Sequence, residues 1–273
     1  MTVFSVVFGL YPLGYAVALS FTPFGVGAPH FVFGGLDNYV SALGDSLFTN
    51  SVVTTFIIAV GAVVLEVVLG LGLAILLSQR FRGMKLARVA LLFPMMTPPL
   101  VVGVVWKTLL FPATGPFAGI FSSVGIVWPD VLASSAGARA AVIVMDVWEY
   151  TPFVMLILLA GIQSIPSTVS EAAQVDGARS FGMFRFVILP YITPVIIVAV
   201  IFRLLTAAKM FDTVYVLTRG GPSFSTDVIS SFVQRTFVFA YELSYASAAA
   251  IMFMVVMFVL ALALTRVMRR SSR

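Results

Sequence analysis

The sequence predicts an all-α, polytopic membrane protein with about six transmembrane helices. Of its 273 residues, 60% are hydrophobic and only 10% are charged, and the mean hydropathy is +1.09. These values exclude an ordinary soluble domain. Apolar runs of roughly 20 residues, long enough to cross the hydrocarbon core as a helix, recur along the chain. They lie at Val3–Phe21, Ser51–Leu77, Val89–Phe111, Ala140–Ile162, Tyr191–Met210 and Ala248–Leu264. We treat residues 1–273 as one transmembrane domain with core spans over about 51–264.

The first span lies where a cleavable signal peptide would also be found. It has no basic segment before its apolar run and no clear small-x-small cleavage site, and it is long enough to cross a membrane. We therefore expect it to be a helix of the mature protein.

The second span carries small residues on one side. Ala62, Gly70 and Ala74 share a stripe of i, i+4 spacing, which allows a neighbouring helix to approach closely. Glu66 lies on the same stripe with no polar or aromatic neighbour in sequence, so we expect a structural role for it.

The third span contains three prolines, Pro94, Pro98 and Pro99. Proline removes a backbone donor and clashes with the preceding turn, so this span should kink or end its regular helix there.

Charges between the spans predict the topology. Cations follow the second, fourth and sixth spans: Arg80, Arg82, Lys85, Arg88, Arg179, Arg185, Arg266, Arg269, Arg270 and Arg273. The other loops carry mainly acids: Asp37, Asp45, Asp130, Asp227 and Glu242. Because cytoplasmic loops are rich in Lys and Arg, both termini should be cytoplasmic. The net charge of +5 therefore reflects membrane topology, and no nucleic-acid partner is expected.

Several chemistries are excluded by residues that the sequence lacks. It has no cysteine and a single histidine, His30, which argues against a thiolate or His-rich metal centre. It also has no phosphate-binding loop of the Gly-x-x-x-x-Gly-Lys-Ser/Thr type, and no setting for an intramembrane protease. We expect a non-catalytic chain that binds no cofactor itself.

Between the fourth and fifth spans lies a polar segment, residues 164–190. Thr168 and Glu171 have the spacing of a capping box, so a short surface helix should begin near residue 168. In that reading Glu171 caps the helix. Gly177 and Gly182 are expected to interrupt this helix, and Pro190 is expected to mark the start of the fifth span.

This segment resembles the "EAA loop" of inner-membrane permease subunits of binding-protein-dependent ABC importers. The matching positions are Glu171, Ala172, Ala173, Asp176, Gly177, Ala178, Phe184, Val187, Leu189 and Pro190. Val187 stands where the family more often has isoleucine. The resemblance implies an ABC type I importer permease fold in which this helix is a cytoplasmic coupling helix. It would dock on a separate ATP-hydrolysing subunit and couple that subunit to the spans.

The resemblance covers nearly the whole chain. The segments 35–39 (Gly-Leu-Asp-Asn-Tyr) and 217–222 (Leu-Thr-Arg-Gly-Gly-Pro) are similar to the carbohydrate branch of these permeases. The second is similar to the first-type subunit of the heterodimeric pairs for maltose or glycerol phosphate.

That similarity implies a set of partners. They are a second, different permease, a dimeric ABC ATPase that holds ATP and Mg²⁺, an extracytoplasmic solute-binding protein and membrane lipid. The expected location is the inner membrane of a bacterium.

Charged residues inside the spans are candidates for the solute path, because each is costly in hydrocarbon. Asp146, Glu149, Tyr150 and Phe153 are spaced i, i+3, i+4 and i+7 and form one stripe of the fourth span. Carboxylates can accept hydrogen bonds from sugar hydroxyls, and aromatic rings can stack on a pyranose. The family resemblance also places this stretch along the translocation path.

The fifth span adds Arg203 and Lys209 to the candidate path. Alternatively, Asp146 or Glu149 pairs with one of these cations only to hold two helices together.

The function predicted from these observations is one permease subunit of an ATP-driven importer. It would form half of the path for a sugar or sugar-like solute and work by alternating access. Two alternatives remain open. One is an ion-coupled secondary transporter that uses Asp146 or Glu149 as its coupling carboxylate, and the other is an ABC permease for a non-sugar solute such as a glycerophosphodiester or a polyamine.

Overall fold

The structure is a computed structural model that describes residues 6–23, 33–79 and 82–271. His30, Arg80 and Arg273 lie outside the described residues. The described chain is helical and has no strand. In chain order its helices are α1 (Val6–Ser20), α2 (Asp37–Gly44), α3 (Ser46–Ser78), α4 (Met84–Leu92), α5 (Pro99–Leu110), α6 (Pro116–Ser123), α7 (Ser135–Gln163), α8 (Ser167–Val175), α9 (Ser180–Ala207), α10 (Asp212–Leu217), α11 (Ile229–Val238) and α12 (Leu243–Ser271).

Within the described residues, four helices are long and apolar enough to cross a membrane: α3, α7, α9 and α12. They correspond to the second, fourth, fifth and sixth predicted spans. The first and third predicted spans appear as the shorter apolar helices α1 and α5. The all-α fold predicted from the sequence is thus confirmed.

The third predicted span is broken into two helices, as its prolines indicated. α4 ends at Leu92, a short 3₁₀ turn covers Pro94–Met96, and α5 begins at Pro99. Pro98 and Pro99 lie at the start of α5, where a missing backbone N–H costs least.

The centre of the bundle is the contact between α3 and α7. The small-residue stripe of α3 is buried there, with Ala62 and Ala74 both at 0% exposure. At Gly70 the backbone of α7 approaches so closely that an added β-carbon would lie 3.1 Å from the nitrogen of Met155. The expected close contact is confirmed. The helix α9 packs across this pair and against α12.

The segment 35–39 fastens α1 to the bundle. The Asn38 side-chain nitrogen donates to the carbonyls of Ser20 and Thr22, both at 2.9 Å. The hydroxyls of Thr22 and Ser244 lie 2.8 Å apart, which ties the end of α1 to α12. These bonds satisfy backbone groups that the end of a helix leaves free.

Two local expectations for residues 164–190 are wrong. α8 begins at Ser167 with Pro166 at its N-cap, and Thr168 makes no capping hydrogen bond because it lies inside the first turn. Gly177 does end α8, with φ at +83°, but Gly182 does not break the next helix.

Pro190 marks the start of the regular α-helical part of the fifth span, as predicted, although α9 as a whole runs from Ser180 to Ala207. A wide π-helical turn at Met183–Ile188 precedes Pro190. The proline therefore lies in the first turn of the regular α-helical stretch, where it is tolerated.

The contact at Gly70 generates a stability prediction. Replacing Gly70 by leucine forces α3 away from Val154 and Met155, which should destabilise the protein by about 1–3 kcal/mol. Gly72 lies on the same helix and has nothing within 4 Å of an added β-carbon, so Gly72→Leu is the matched control. Thermal unfolding in detergent measures both. Equal melting temperatures for the two variants would contradict this packing.

Candidate functional site

An ionic cluster joins α3, α7 and α9 inside the bundle. Arg203 of α9 donates from Nε to Glu66 Oε2 at 2.6 Å and from Nη2 to Glu66 Oε1 at 2.7 Å. The same Nη2 donates to Asp146 Oδ2 of α7 at 2.7 Å. We refer to these three residues as the Glu66–Arg203–Asp146 triad.

The triad is buried inside the bundle. The side chains of Arg203 and Glu66 are 1% and 0% exposed. Arg203 Nη1 donates to the Thr206 hydroxyl at 2.9 Å, and the guanidinium carbon lies 4.0 Å from the centre of the Tyr150 ring. A guanidinium over an aromatic face gains cation–π attraction, so Arg203 is satisfied by hydrogen bonds and by a ring.

The triad contains the ion pair between Asp146 and Arg203 that the alternative for the charged spans required. Glu66, expected only to pack, forms a two-bond ion pair with a residue 137 positions later in the chain. The sequence signal for a partner was the charge itself, because a carboxylate in an apolar span almost always has one.

A cavity of about 170 Å³ lies beside the triad. Its polar and aromatic lining comprises Asp146, Tyr150, Arg203, Thr206, Lys209, Phe211, Asp212 and Thr213. Lys209 and Asp212 are exposed, and neither forms an ion pair within the described chain. The cavity therefore offers a carboxylate, an ammonium group and an aromatic wall together.

Four of the six predicted path residues line this cavity, and two do not. Glu149 is 1% exposed, and its Oε2 has no hydrogen-bond partner among the described residues. The Phe153 ring packs against the Phe202 ring of α9 with 5.1 Å between their centres. Phe153 thus contributes to the contact between α7 and α9.

A hollow of about 290 Å³ is lined by Lys107, Tyr215 and Arg219 but by no carboxylate. A second, at the loop from Pro112 to Trp128, encloses about 470 Å³, and no charged residue lines it. The described residues also contain no group of His, Cys, Asp and Glu side chains that could hold a metal ion.

The predicted coupling helix is α8, and none of its residues is buried in the described chain. Glu171, Ala172, Asp176 and Gly177 are exposed, whereas Ala173 and Ala178 are half-buried. The Glu171 side chain forms no hydrogen bond or ion pair with a described residue.

The connection from α8 into α9 exposes apolar side chains. Val175 is 88% exposed, and Phe181 and Phe186 are each 76% exposed. Phe184 and Leu189 are half-buried, and Pro190 is exposed. Large apolar groups on the surface at the end of a membrane bundle are typical of a protein contact. The roles assigned to these residues stay predictions.

Comparison with known proteins places the chain in a family. The family described as the binding-protein-dependent transport system inner membrane component matches residues 66–273. The trehalose/maltose transport system permease protein MalF of Thermococcus litoralis is 38% identical over 202 residues, covering 74% of this chain and 68% of the relative. The trehalose transport system permease protein SugA of Mycobacterium tuberculosis is 36% identical over 77% of this chain and 67% of the relative.

Solved structures agree on the fold. A chain of a bacterial alginate ABC transporter, solved in complex with an alginate pentasaccharide-bound periplasmic protein, aligns with a TM-score of 0.86 at 24% identity, covering 98% of this chain and 91% of that one. A chain of the MetNI methionine ABC transporter aligns with a TM-score of 0.62 at 19% identity, covering 83% of this chain and 97% of that one. This protein therefore belongs to the inner-membrane components of binding-protein-dependent transport systems, and it has the fold of an ABC type I importer permease.

Proposed function

We propose that this chain is one permease subunit of an ATP-driven importer and forms half of the translocation path for a sugar or sugar-like solute. The family assignment supports the importer role. Relatives named for trehalose and maltose transport, each more than 35% identical, support a sugar as the solute. The observation that carries the site assignment is the cavity beside the triad, which combines groups suited to a polyhydroxylated ligand.

In this proposal each group of the cavity has a separate task. Asp146 bonds Arg203 through Oδ2 and also lines the cavity, where it would accept a hydrogen bond from a solute hydroxyl. Lys209 donates to a solute oxygen, and Tyr150 presents part of its ring to an apolar face of the sugar. Sugars are bound by such pairs of polar groups and aromatic faces because they carry both kinds of surface.

We further propose that both termini and α8 lie on the cytoplasmic side of a bacterial inner membrane. The exposed cations Arg179 and Arg185 flank the connection from α8 to α9, as the positive-inside rule requires of a cytoplasmic segment. On the outer side, exposed Asp37, Asp130 and Glu242 carry the opposite charge.

Residues 164–190 would then be the docking site for a dimeric ATPase, which holds ATP and Mg²⁺ and performs the hydrolysis. This chain itself would be non-catalytic. A second, different permease would complete the path, and an external solute-binding protein would deliver the solute. The exposed face of α8 and the exposed Phe181 and Phe186 support a protein contact there.

The helix α9 offers a direct mechanical route from the docking site to the cavity. It begins at Ser180, beside α8, and carries Arg203 about 35 Å further along its axis at 1.5 Å per residue. A displacement of α8 by the closing ATPase would move α9, and through Arg203 it would reach α3 and α7. Alternating access would use this coupled movement of packed helices.

A reconstituted complex tests the proposal as a whole. Proteoliposomes that hold both permeases and the ATPase should accumulate sugar only when ATP is present on the ATPase side and loaded binding protein on the other. Uptake is measured with radiolabelled sugar, with ATP present or withheld. Uptake that persists without ATP and collapses when the ion gradient is dissipated would identify an ion-coupled secondary transporter instead.

The aromatic wall of the cavity generates a second prediction. Tyr150→Ala should lower sugar uptake at subsaturating solute by roughly 3–10-fold, because the stacking surface is lost. Trp148 lies on the opposite side of α7 and packs against Trp106, with 6.1 Å between ring centres, so Trp148→Ala is the matched control. An equal loss of uptake in both variants would indicate a general packing defect and no solute contact at Tyr150.

The docking site generates a third prediction. Glu171→Lys reverses a charge on the exposed face of α8, so the ATPase should no longer co-purify with the permease pair, although the pair itself stays folded. Glu242→Lys makes the same reversal in an outer loop and should leave co-purification intact. Co-purification of the ATPase with Glu171→Lys at the wild-type yield and activity would contradict the coupling assignment.

A further inference from the structure

The donors of Arg203 are almost all committed to other protein groups. A guanidinium has five N–H donors. Two of those in Arg203 bind Glu66, one binds Asp146 and one binds Thr206, all within 2.9 Å. Although Arg203 lines the cavity, little of its hydrogen-bonding capacity is left for a solute.

Glu66 is the residue that keeps the guanidinium of Arg203 bonded on the α3 side. It accepts two charge-assisted bonds on the α3 side, it is 0% exposed, and it does not line the cavity. Glu66 therefore acts on a solute through the residues that it contacts, and it bonds Arg203 twice.

The charged groups around the cavity are of both signs. In the triad, Arg203 bonds Glu66 and Asp146, so its positive charge is compensated by carboxyl groups of the protein. Lys209 and Asp212, the other charged residues of the lining, carry opposite charges. Charges inside a dry bundle interact more strongly than in water, so a change in this balance acts strongly on a solute in the cavity.

We propose that Glu66 is a selectivity-determining positioning residue, which keeps Arg203 away from the solute and so makes this half of the path favour neutral sugars over anionic ones. This inference rests on the proposed function and names the solute class of the same site. A neutral sugar can use the polar groups of Asp146 and Lys209 that line the cavity. A sugar carboxylate finds the guanidinium of Arg203 already bonded to carboxyl groups of the protein.

The variant Glu66→Gln removes one negative charge while keeping the shape of the side chain. Its amide oxygen can accept one bond from Arg203, but its amide nitrogen cannot replace the second acceptor. The guanidinium charge is then balanced by Asp146 alone, and its attraction for an anion in the cavity increases.

The experiment uses the intact complex of both permeases and the ATPase in nanodiscs, without binding protein, so that the selectivity of the binding protein does not enter. Equilibrium binding is measured for neutral and carboxylate sugars in pairs, glucose with glucuronate and maltose with maltobionate. We expect the wild type to prefer the neutral member of each pair. Glu66→Gln should raise the affinity for the anion relative to the neutral sugar about tenfold.

Two variants serve as controls. Glu66→Asp keeps the negative charge but shortens the side chain, and it should retain most of the wild-type preference for neutral sugars. If Glu66 acted only through packing, the shorter side chain would not retain that preference. Glu242→Gln removes the same charge in an exposed outer loop and should leave the ratio unchanged. Preference of the wild type for the anions, or an unchanged ratio in a folded Glu66→Gln complex, would overturn the inference.

Where Glu66→Gln fails to assemble, Lys209→Gln gives an independent measurement. It removes the exposed cation of the cavity and should shift the ratio in the opposite direction, further against the anion. A Lys209→Gln complex that binds anions as well as the wild type does would overturn the charge argument.

If ATP-dependent uptake of sugars is intact and only the predicted ratios of anion to neutral-sugar affinity are not observed, the selectivity inference alone is wrong. If no sugar binds and no ATP-dependent uptake occurs, the proposed function falls with it.

Discussion

A guanidinium buried among transmembrane helices must be neutralised by protein groups, because hydrocarbon offers it no water. Arg203 meets this requirement with Glu66 and Asp146, one from each of the other two central helices. Removing Arg203 would leave two buried carboxyl groups without their cation, and breaking a buried pair in this way typically costs about 3–5 kcal/mol. This cost constrains how α3, α7 and α9 are rotated about their own axes. Only rotations that bring Glu66, Asp146 and Arg203 into contact keep the buried charges paired.

The close packing of α3 on α7 makes this arrangement possible. Gly70 lets the two backbones approach, and the fully buried Ala62 and Ala74 continue the contact on either side of it. Bulky residues along the stripe would move α7 outward and carry Asp146 away from Arg203. The ion pairs and the small residues thus support each other, since short polar contacts need helices at short distances. The same packing determines the shape of the cavity beside Tyr150.

The continuity of α9 connects this buried chemistry to the surface. The helix carries exposed Phe181 and Phe186 near its start and Arg203 near its end. A break at Gly182, which the sequence suggested, would have separated Phe181 from Arg203. The π-helical turn at Met183–Ile188 absorbs the irregularity without ending the helix, and Pro190 follows it in a first turn that needs no backbone donor. Gly182 was a poor guide because the cost of a breaker residue depends on the turn in which it falls.

The sequence by itself determined the all-α class, the apolar spans, the break at the prolines of the third span and the exposed segment that resembles the EAA loop. These properties depend on composition and on short-range spacing, which any single chain displays. Only the tertiary structure decided that Glu66 pairs with Arg203, that Asp146 shares the same guanidinium, and that Tyr150 and Lys209 meet at one cavity while Glu149 and Phe153 do not line it. Such pairings join residues up to 137 positions apart, and they follow from how each helix is rotated against its neighbours. Hydropathy and periodicity identify the polar face of a helix, but they do not determine which neighbouring helix that face contacts.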